Sequence, residues 1–294
     1  MSRRRPEPSF PIQPTVIQVG QGTAELIADP DRPASWTLLV DGTPQSHVDL
    51  DDPTYLEFEY IRWFGHLADL ADLGVASSSS PLNVLHLGGG AWTLARYLAA
   101  TRPGSRQRVV ELDVPLVEFV RARLPSEGSG IRVRTGDART VLASLTSDSV
   151  DLIFVDVFAG AQIPAHLTSV EFVAEAARVL RPGGTYAANL ADGAALAFAR
   201  GQVATVGSVF AETALIGSPQ VFRGRRFGNF VLAGTQSAQV AAGWAELPRR
   251  TAADPFQARV VAGAELVNFV AGAKVVTDAD AVPSPAPPSG LMGL

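Results

Sequence analysis

Four acidic residues stand where a carboxylate can do chemistry, each at or just after the end of an apolar run. Glu111 and Asp113 end the run VVELD, Asp137 follows Ile131–Thr135, and Asp156 ends VDLIFVD. Carboxylates so placed can accept hydrogen bonds from hydroxyl or amino groups of a ligand, or take a proton from a nucleophile. The competing interpretation is structural, because an Asp at such a point also caps the helix or loop that follows.

A run of three glycines strengthens the ligand-binding interpretation. Gly88, Gly89 and Gly90 follow the aliphatic run VLHL directly, and Glu111 comes about 20 residues later, a spacing typical of nucleotide-binding sites. Tight strand-to-helix turns also use glycine for steric reasons alone, so the run by itself decides little. Glycines and acid together favour a nucleotide, with Glu111 facing the ribose hydroxyls and Asp137 the adenine amino group.

The elements that must position these residues alternate between strand and helix. Strands are predicted at Leu82–Leu87, Arg108–Leu112, Ile131–Thr135, Val150–Asp156, Thr185–Leu190 and Gly228–Ala233, with helices at Val114–Leu124, Ala138–Leu145, Thr168–Leu180 and Ala194–Phe210. This alternation predicts an α/β fold with a mostly parallel sheet wrapped on both faces. Because ligands bind over the carboxyl ends of such strands, Asp156 is the best candidate for a general base.

The remaining segments flank this core. Short β-like runs broken by turns between Thr15 and Leu50 predict an antiparallel hairpin sheet, and Tyr55–Leu73 has a helical period. The predicted divisions are a disordered tail 1–12, a hairpin domain with its helix 13–76, a joint 77–81, a nucleotide-binding Rossmann core 82–236, a C-terminal segment 237–277 and a Pro-rich disordered tail 278–294.

Composition narrows the possible functions. A net charge of −5 argues against a nucleic-acid-binding protein, and the absence of cysteine excludes thiolate catalysis and cysteine-ligated metals. Four scattered histidines lack metal-ligand spacing, so no metal is expected. Neither an apolar run long enough to span a membrane nor a secretory signal is visible, and a cytoplasmic location is the expectation.

Several of these segments resemble the spermidine synthase (polyamine aminopropyltransferase) superfamily. LLVDGTPQSHVDLDD at 38–52 is similar to the hairpin that carries the family's nucleotide-contacting glutamine, here Gln45, and LEFEYIRWFGHLADL at 56–70 is similar to its tyrosine-bearing helix, here with Tyr60. VLHLGGG, VVELD, GDA and FVDVF follow in the family's order. The resemblance covers about residues 36–235 and implies a Rossmann-like methyltransferase fold with a seven-stranded-type sheet and a small N-terminal β-hairpin domain.

The chain departs from the family pattern on the acceptor side. The glycine motif continues with Ala91 in place of an aspartate, Tyr-His-Glu becomes Tyr60-Ile61-Arg62, and the loop after Asp156 has Ala159 in place of a second aspartate. Asn189 stands where the family has glutamine. Because a buried cation needs paired carboxylates, these changes disfavour a polyamine acceptor. Ala91 and a cavity-facing Arg62 together predict that S-adenosylmethionine binds at least as tightly as its decarboxylated form, and that putrescine is used poorly.

The resemblance therefore implies a transferase that binds S-adenosylmethionine or decarboxylated S-adenosylmethionine, with a small-molecule acceptor and a homodimeric assembly. Gln45, Gly88–Gly90, Glu111 and Asp137 would bind the nucleotide, and Asp156 with Tyr60 would serve the chemistry. Aminopropyl transfer follows from the family, while the altered acceptor residues favour methyl transfer to a non-polyamine acceptor. A non-catalytic nucleotide-binding protein is a third interpretation.

Overall fold

The first part of the protein is a small antiparallel sheet. The computed structural model describes residues 15–20, 22–71, 80–126 and 128–288. The first four strands are β1 Thr15–Val19, β2 Gly22–Ala28, β3 Ser35–Val40 and β4 Thr43–Asp49, hydrogen-bonded in that order. Ala24 and Leu26 of β2 are buried on one face while Glu25 between them is not, the alternation of a sheet covered on one side. The predicted antiparallel N-terminal sheet of hairpins is confirmed.

The second sheet forms the centre of the molecule. Its strands are β5 Asn83–Leu87, β6 Arg106–Glu111, β7 Ile131–Thr135, β8 Val150–Val155, β9 Leu180–Asp192, β10 Glu212–Gly217, β11 Gly228–Thr235 and β12 Arg259–Ala262. The spatial order is β12-β10-β11-β9-β8-β5-β6-β7, parallel from β9 to β7 and antiparallel between neighbours in the rest. The predicted Rossmann-like methyltransferase fold is confirmed, and β12 adds an eighth strand to the expected sheet.

Helices cover both faces of this sheet. In the described part of the chain they are α1 Glu59–Leu70, α2 Thr93–Thr101, α3 Val114–Arg123, α4 Ala138–Ala143, α5 Val170–Val179, α6 Ala197–Val209, α7 Pro219–Phe222, α8 Ala238–Gly243, α9 Leu247–Thr251 and α10 Gly263–Val270. Asp113 and Asp137 cap α3 and α4 by accepting hydrogen bonds from backbone N–H groups. Of the helices described, none has the length and apolar character to cross a membrane.

Helix α1 joins the two sheets and brings Tyr60 to the central one. It begins at Glu59, later than the predicted Tyr55, because the chain turns at Asp52, whose carbonyl accepts a hydrogen bond from Tyr55 N–H at 3.0 Å, and then stays non-helical as far as Phe58, whose backbone is extended. Phe64 is fully buried and packs edge-on against Phe154 of β8, with ring centroids 5.1 Å apart. Burial of this helix face fixes where Tyr60 lies over the sheet.

Two predicted boundaries change. The core sheet extends past residue 236, since β12 pairs with β10 at its edge. Disorder does not hold for residues 278–288, because Ser284 is fully buried and exchanges hydrogen bonds with Ile163. Residues 1–12, most of the joint 77–81 and residues 289–294 lie outside the described residues.

Candidate functional site

A cavity of about 260 Å³ lies over the carboxyl ends of β5, β6, β7 and β8, bordered by β4 and α1. Every residue that the sequence predicts for nucleotide binding or chemistry lines it: Gln45, Tyr60, Gly88, Gly89, Gly90, Glu111, Asp137 and Asp156. They meet here because the carboxyl ends of parallel strands share one edge of the sheet. Among the described residues there is no cluster of three or more His, Asp or Glu side chains that could hold a metal ion.

Close packing around the glycine turn requires glycine at two of its positions. Gly88 has φ +93°, and a Cβ there would overlap the carbonyl oxygen of Asp156. Gly90 has φ +48°, and a Cβ there would overlap the hydroxyl of Ser46 on β4. Ser46 in turn accepts a hydrogen bond from Ala91 N–H at 3.1 Å. Glycine therefore lets the turn lie close to both the end of β8 and strand β4 of the N-terminal sheet. Residues of β4 line the cavity on that side.

Glu111 is held in place by the backbone around it. Its Oε2 accepts a hydrogen bond from Gly89 N–H at 2.9 Å, and its Oε1 accepts from Leu112 N–H at 2.8 Å and Asp113 N–H at 3.1 Å. A carboxylate offers about four acceptor positions. Holding both hydroxyls of a ribose would therefore require one of these N–H contacts to open.

Asp137 is the cap of α4, one of the two roles that the sequence left open. Its Oδ1 caps α4 by accepting from Thr140 N–H at 2.8 Å, and its Oδ2 lies 2.9 Å from His166 Nε2. Partial burial acts to raise the pKa of this carboxyl, but the hydrogen bonds from Thr140 and His166 outweigh it, so the pKa lies below its usual value. Asp137 is thus a fixed, ionised acceptor at the cavity wall.

Asp156 lies at the centre of a partly buried polar network. Asn189 donates a hydrogen bond to its Oδ1 at 2.8 Å, Asn229 donates to Asn189 Oδ1 at 2.9 Å, and the Tyr60 hydroxyl donates to the carboxylate. Desolvation raises the pKa of Asp156 to about 6, against the opposing effect of the hydrogen bonds from Asn189 and Tyr60. Burial and the neighbouring carboxylate raise the pKa of Tyr60 well above its usual value, so its hydroxyl remains a donor.

Sequence reasoning missed two members of this site. Asn229 lies on β11, 40 residues from its partner Asn189, and no local pattern signals that contact. His166 belongs to the segment DVFAGAQIPAHLT, and its place in the loop that begins at the candidate base Asp156 is the signal that could have suggested a role.

The structure contradicts the predicted position of Arg62. Its guanidinium lies against the ring of Tyr55, 5.7 Å from the centroid, and Arg62 is not among the residues lining the cavity. The reason is angular: two residues apart on a helix point about 200° apart, so Arg62 cannot share the cavity face with Tyr60. Ala91 is fully buried and also does not line the cavity.

Comparison with known proteins identifies a matching domain family and similar sequences. The sequence matches the family described as "Methyltransferase domain" over residues 85–188. A polyamine aminopropyltransferase of Chromobacterium violaceum is 28% identical over 190 residues, a stretch that covers 64% of this chain and 66% of that protein.

Two solved structures extend the comparison. A probable spermidine synthase from Corynebacterium glutamicum is 35% identical, with a TM-score of 0.82 over 90% of this chain and 95% of that one. Human methyltransferase-like protein 13 in complex with SAH is 19% identical, with a TM-score of 0.52 over 66% of this chain and 92% of that one, and shows the shared fold alone.

Proposed function

The chain belongs to the spermidine synthase-like superfamily of transferases, and on that premise we propose that it binds a sulfonium nucleotide of the S-adenosylmethionine type and transfers an aminopropyl group from it to an amine. The sulfonium makes the attached carbon electrophilic, so the protein's task is to hold an acceptor in line and to remove its proton. A C–N bond forms, the C–S bond breaks, and the neutral thioether nucleoside leaves.

The observation that carries this proposal is the environment of Asp156. A carboxyl whose pKa is raised to about 6 is ionised at neutral pH yet accepts a proton more readily than an exposed aspartate. Tyr60 and Asn189 each donate a hydrogen bond to this carboxylate. Its remaining acceptor positions would then face the nucleophile. Asp156 would take the proton that the amine loses as it attacks.

The nucleotide would occupy the rest of the cavity. Gln45 lines it from β4 of the N-terminal sheet, and the glycine turn, Glu111 and Asp137 line it at the edge of the central sheet. Glu111 is expected to accept from the ribose and Asp137 from the adenine amino group, with one acceptor position of each carboxylate engaged by the ligand.

The Glu111 assignment makes a direct prediction. Glu111→Ala should lose roughly 1–3 kcal/mol of affinity for S-adenosylmethionine, because a ribose hydroxyl then lacks its acceptor. Glu111→Gln should lose less, since it keeps one acceptor oxygen. Calorimetric titration measures both, with Glu118→Ala on the exposed side of α3 as the control. Affinity equal to wild type in a folded Glu111→Ala variant would refute the ribose role.

Methyl transfer is the second candidate, and Ala91 favours it. Because Ala91 stands in place of the family's aspartate, position 91 carries no carboxylate that could repel the carboxylate of intact S-adenosylmethionine. A charge pair near 4 Å is worth on the order of a few kcal/mol at intermediate dielectric before desolvation, so its removal matters for donor choice. Since Arg62 faces away from the cavity, the predicted repulsion of putrescine no longer has a structural basis.

Donor titration and the released nucleoside test both candidates. We expect S-adenosylmethionine to bind at least as tightly as its decarboxylated form, both measured calorimetrically. Each donor is then incubated with putrescine or spermidine and the products are identified by mass spectrometry. Methylthioadenosine from the decarboxylated donor would establish aminopropyl transfer; S-adenosylhomocysteine from the intact donor would replace it with methyl transfer. A strong preference for the decarboxylated donor would refute the inference from Ala91, and binding of neither would overturn the proposed function.

A further inference from the structure

Residues 276–284, here called the C-terminal strap, lie across residues 157–169, here called the cavity loop. The strap's Val276 carbonyl accepts a hydrogen bond from Val170 N–H at 2.8 Å, just beyond the loop's end. At the other end of the strap, the Ser284 hydroxyl accepts from Ile163 N–H at 2.9 Å, and Ser284 N–H donates to the Ile163 carbonyl at 3.1 Å. Much of the cavity loop lines the nucleotide cavity, so the strap buttresses the cavity wall from outside.

Asp278 is the central contact of the strap. Its carboxylate accepts two hydrogen bonds from Arg139, at 2.7 and 2.6 Å, and one from the Ser169 hydroxyl at 2.5 Å. These bonds from Arg139 and Ser169 lower the pKa of Asp278 to about 2. Arg139 belongs to α4, two residues after Asp137, and Ser169 caps α5. One carboxylate therefore joins the first turn of α4 to the end of the cavity loop.

The contacts continue from Asp278 into the cavity. Arg139 also donates to the backbone carbonyl of His166 at 3.0 Å, and the His166 imidazole lies 2.9 Å from Asp137 Oδ2. Both His166 and Asp137 line the cavity, whereas Arg139 and Asp278 do not. The order Asp278, Arg139, His166, Asp137 is a continuous path of polar contacts from the outer surface to the predicted adenine acceptor.

We propose that Asp278 is a positioning residue for nucleotide binding, which holds the cavity loop through Arg139 so that His166 keeps the Asp137 carboxylate aimed at the adenine amino group. This inference rests on the proposed function, because it assigns Asp137 to the nucleotide. It gives the VVTDADAVP segment a role at the site although no residue of that segment touches the cavity.

A positioning role is distinguishable from a general stabilising one. The side chains of Arg139 and Asp278 are 28% and 45% exposed, and ion pairs at such exposure contribute little to global stability. Loss of the pair should instead raise local opening of the cavity loop, because Asp278 then no longer fixes the Arg139 guanidinium that contacts the His166 carbonyl.

The test compares Asp278→Asn with Asp280→Asn, a matched change two residues away. Asp280 accepts from the Thr277 hydroxyl at 2.9 Å, a contact within the strap itself. For Asp278→Asn we expect the dissociation constant for S-adenosylmethionine to rise roughly three- to tenfold, amide exchange in peptides covering 157–169 to speed up, and the melting temperature to change little. Asp280→Asn should leave all three near wild type.

A double-variant cycle tests the path itself. If Asp278 acts through His166, then Asp278→Asn should add little to the loss of affinity already caused by His166→Ala. Fully additive losses, or wild-type affinity and exchange in Asp278→Asn, would overturn the proposal. Wild-type protein that binds neither donor nucleotide would overturn the proposed function instead, while the exchange measurement would still decide whether the strap holds the loop.

Discussion

Asp156→Asn is expected to lower turnover roughly 10²–10⁴-fold while nucleotide affinity stays within a few-fold of wild type. Asparagine keeps the shape of the side chain and an oxygen for the hydrogen bond from Asn189, but it cannot accept the proton of the nucleophile. Release of the nucleoside product measures turnover, and calorimetry measures affinity. Undiminished turnover would mean that Asp156 serves only to organise the end of β8.

The pH dependence of wild-type turnover tests the assignment of Asp156 as the base independently. Since the pKa of Asp156 is about 6, the turnover rate should rise with pH through that value and level off above it, as the base becomes ionised. The pH-dependent rise centred there should be missing from the residual rate of Asp156→Asn.

The free energy of unfolding shows whether Asp156→Asn is still folded. A carboxyl whose pKa is raised from 3.8 to about 6 by folding binds more protons in the folded than in the unfolded state between those values. The wild-type free energy of unfolding therefore falls as pH rises from about 4 to about 6, by an amount on the order of 3 kcal/mol. Asp156→Asn lacks this penalty and should be at least as stable as wild type at neutral pH, so low activity cannot be ascribed to unfolding.

Gly88→Ala is expected to destabilise the protein by about 3 kcal/mol or more, because it adds backbone strain and a steric overlap. The φ of +93° disfavours any L side chain, and the new methyl group would overlap the carbonyl oxygen of Asp156. To accommodate it, the end of β8 would have to move, which would displace the proposed base as well. Urea unfolding measures the free-energy change.

Gly42→Ala is the matched control for Gly88→Ala. Gly42 lies in the β3–β4 turn with φ +74°, and nothing lies within 4 Å of a Cβ built there. This variant should lose only about 1 kcal/mol from backbone strain. Equal losses at the two positions would show that the close approach to Asp156 contributes nothing.

The sequence by itself determined the parallel core and the strand ends whose glycine and acidic residues line the cavity. Apolar strand runs that end in Gly88, Glu111, Asp137 and Asp156 can be located by local pattern, and parallel pairing brings their ends to one edge. The proximity of Asp156 to the glycine turn follows from that rule, because β5 and β8 are neighbours in the sheet. The short strands β12, at one edge of the sheet, and β10, next to it, were not predicted, since runs of four and six residues carry little periodic signal.

Only the tertiary structure decided how these residues are oriented and what supports them. Helical geometry alone places Arg62 and Tyr60 on different faces of α1, but only the assembled structure shows that Tyr60 is the one facing the cavity. The strap's composition predicts disorder, yet its contacts to Ile163 and Arg139 span 121 and 139 residues. Such pairings depend on the assembled sheet and helices bringing distant segments together, and no local propensity encodes them.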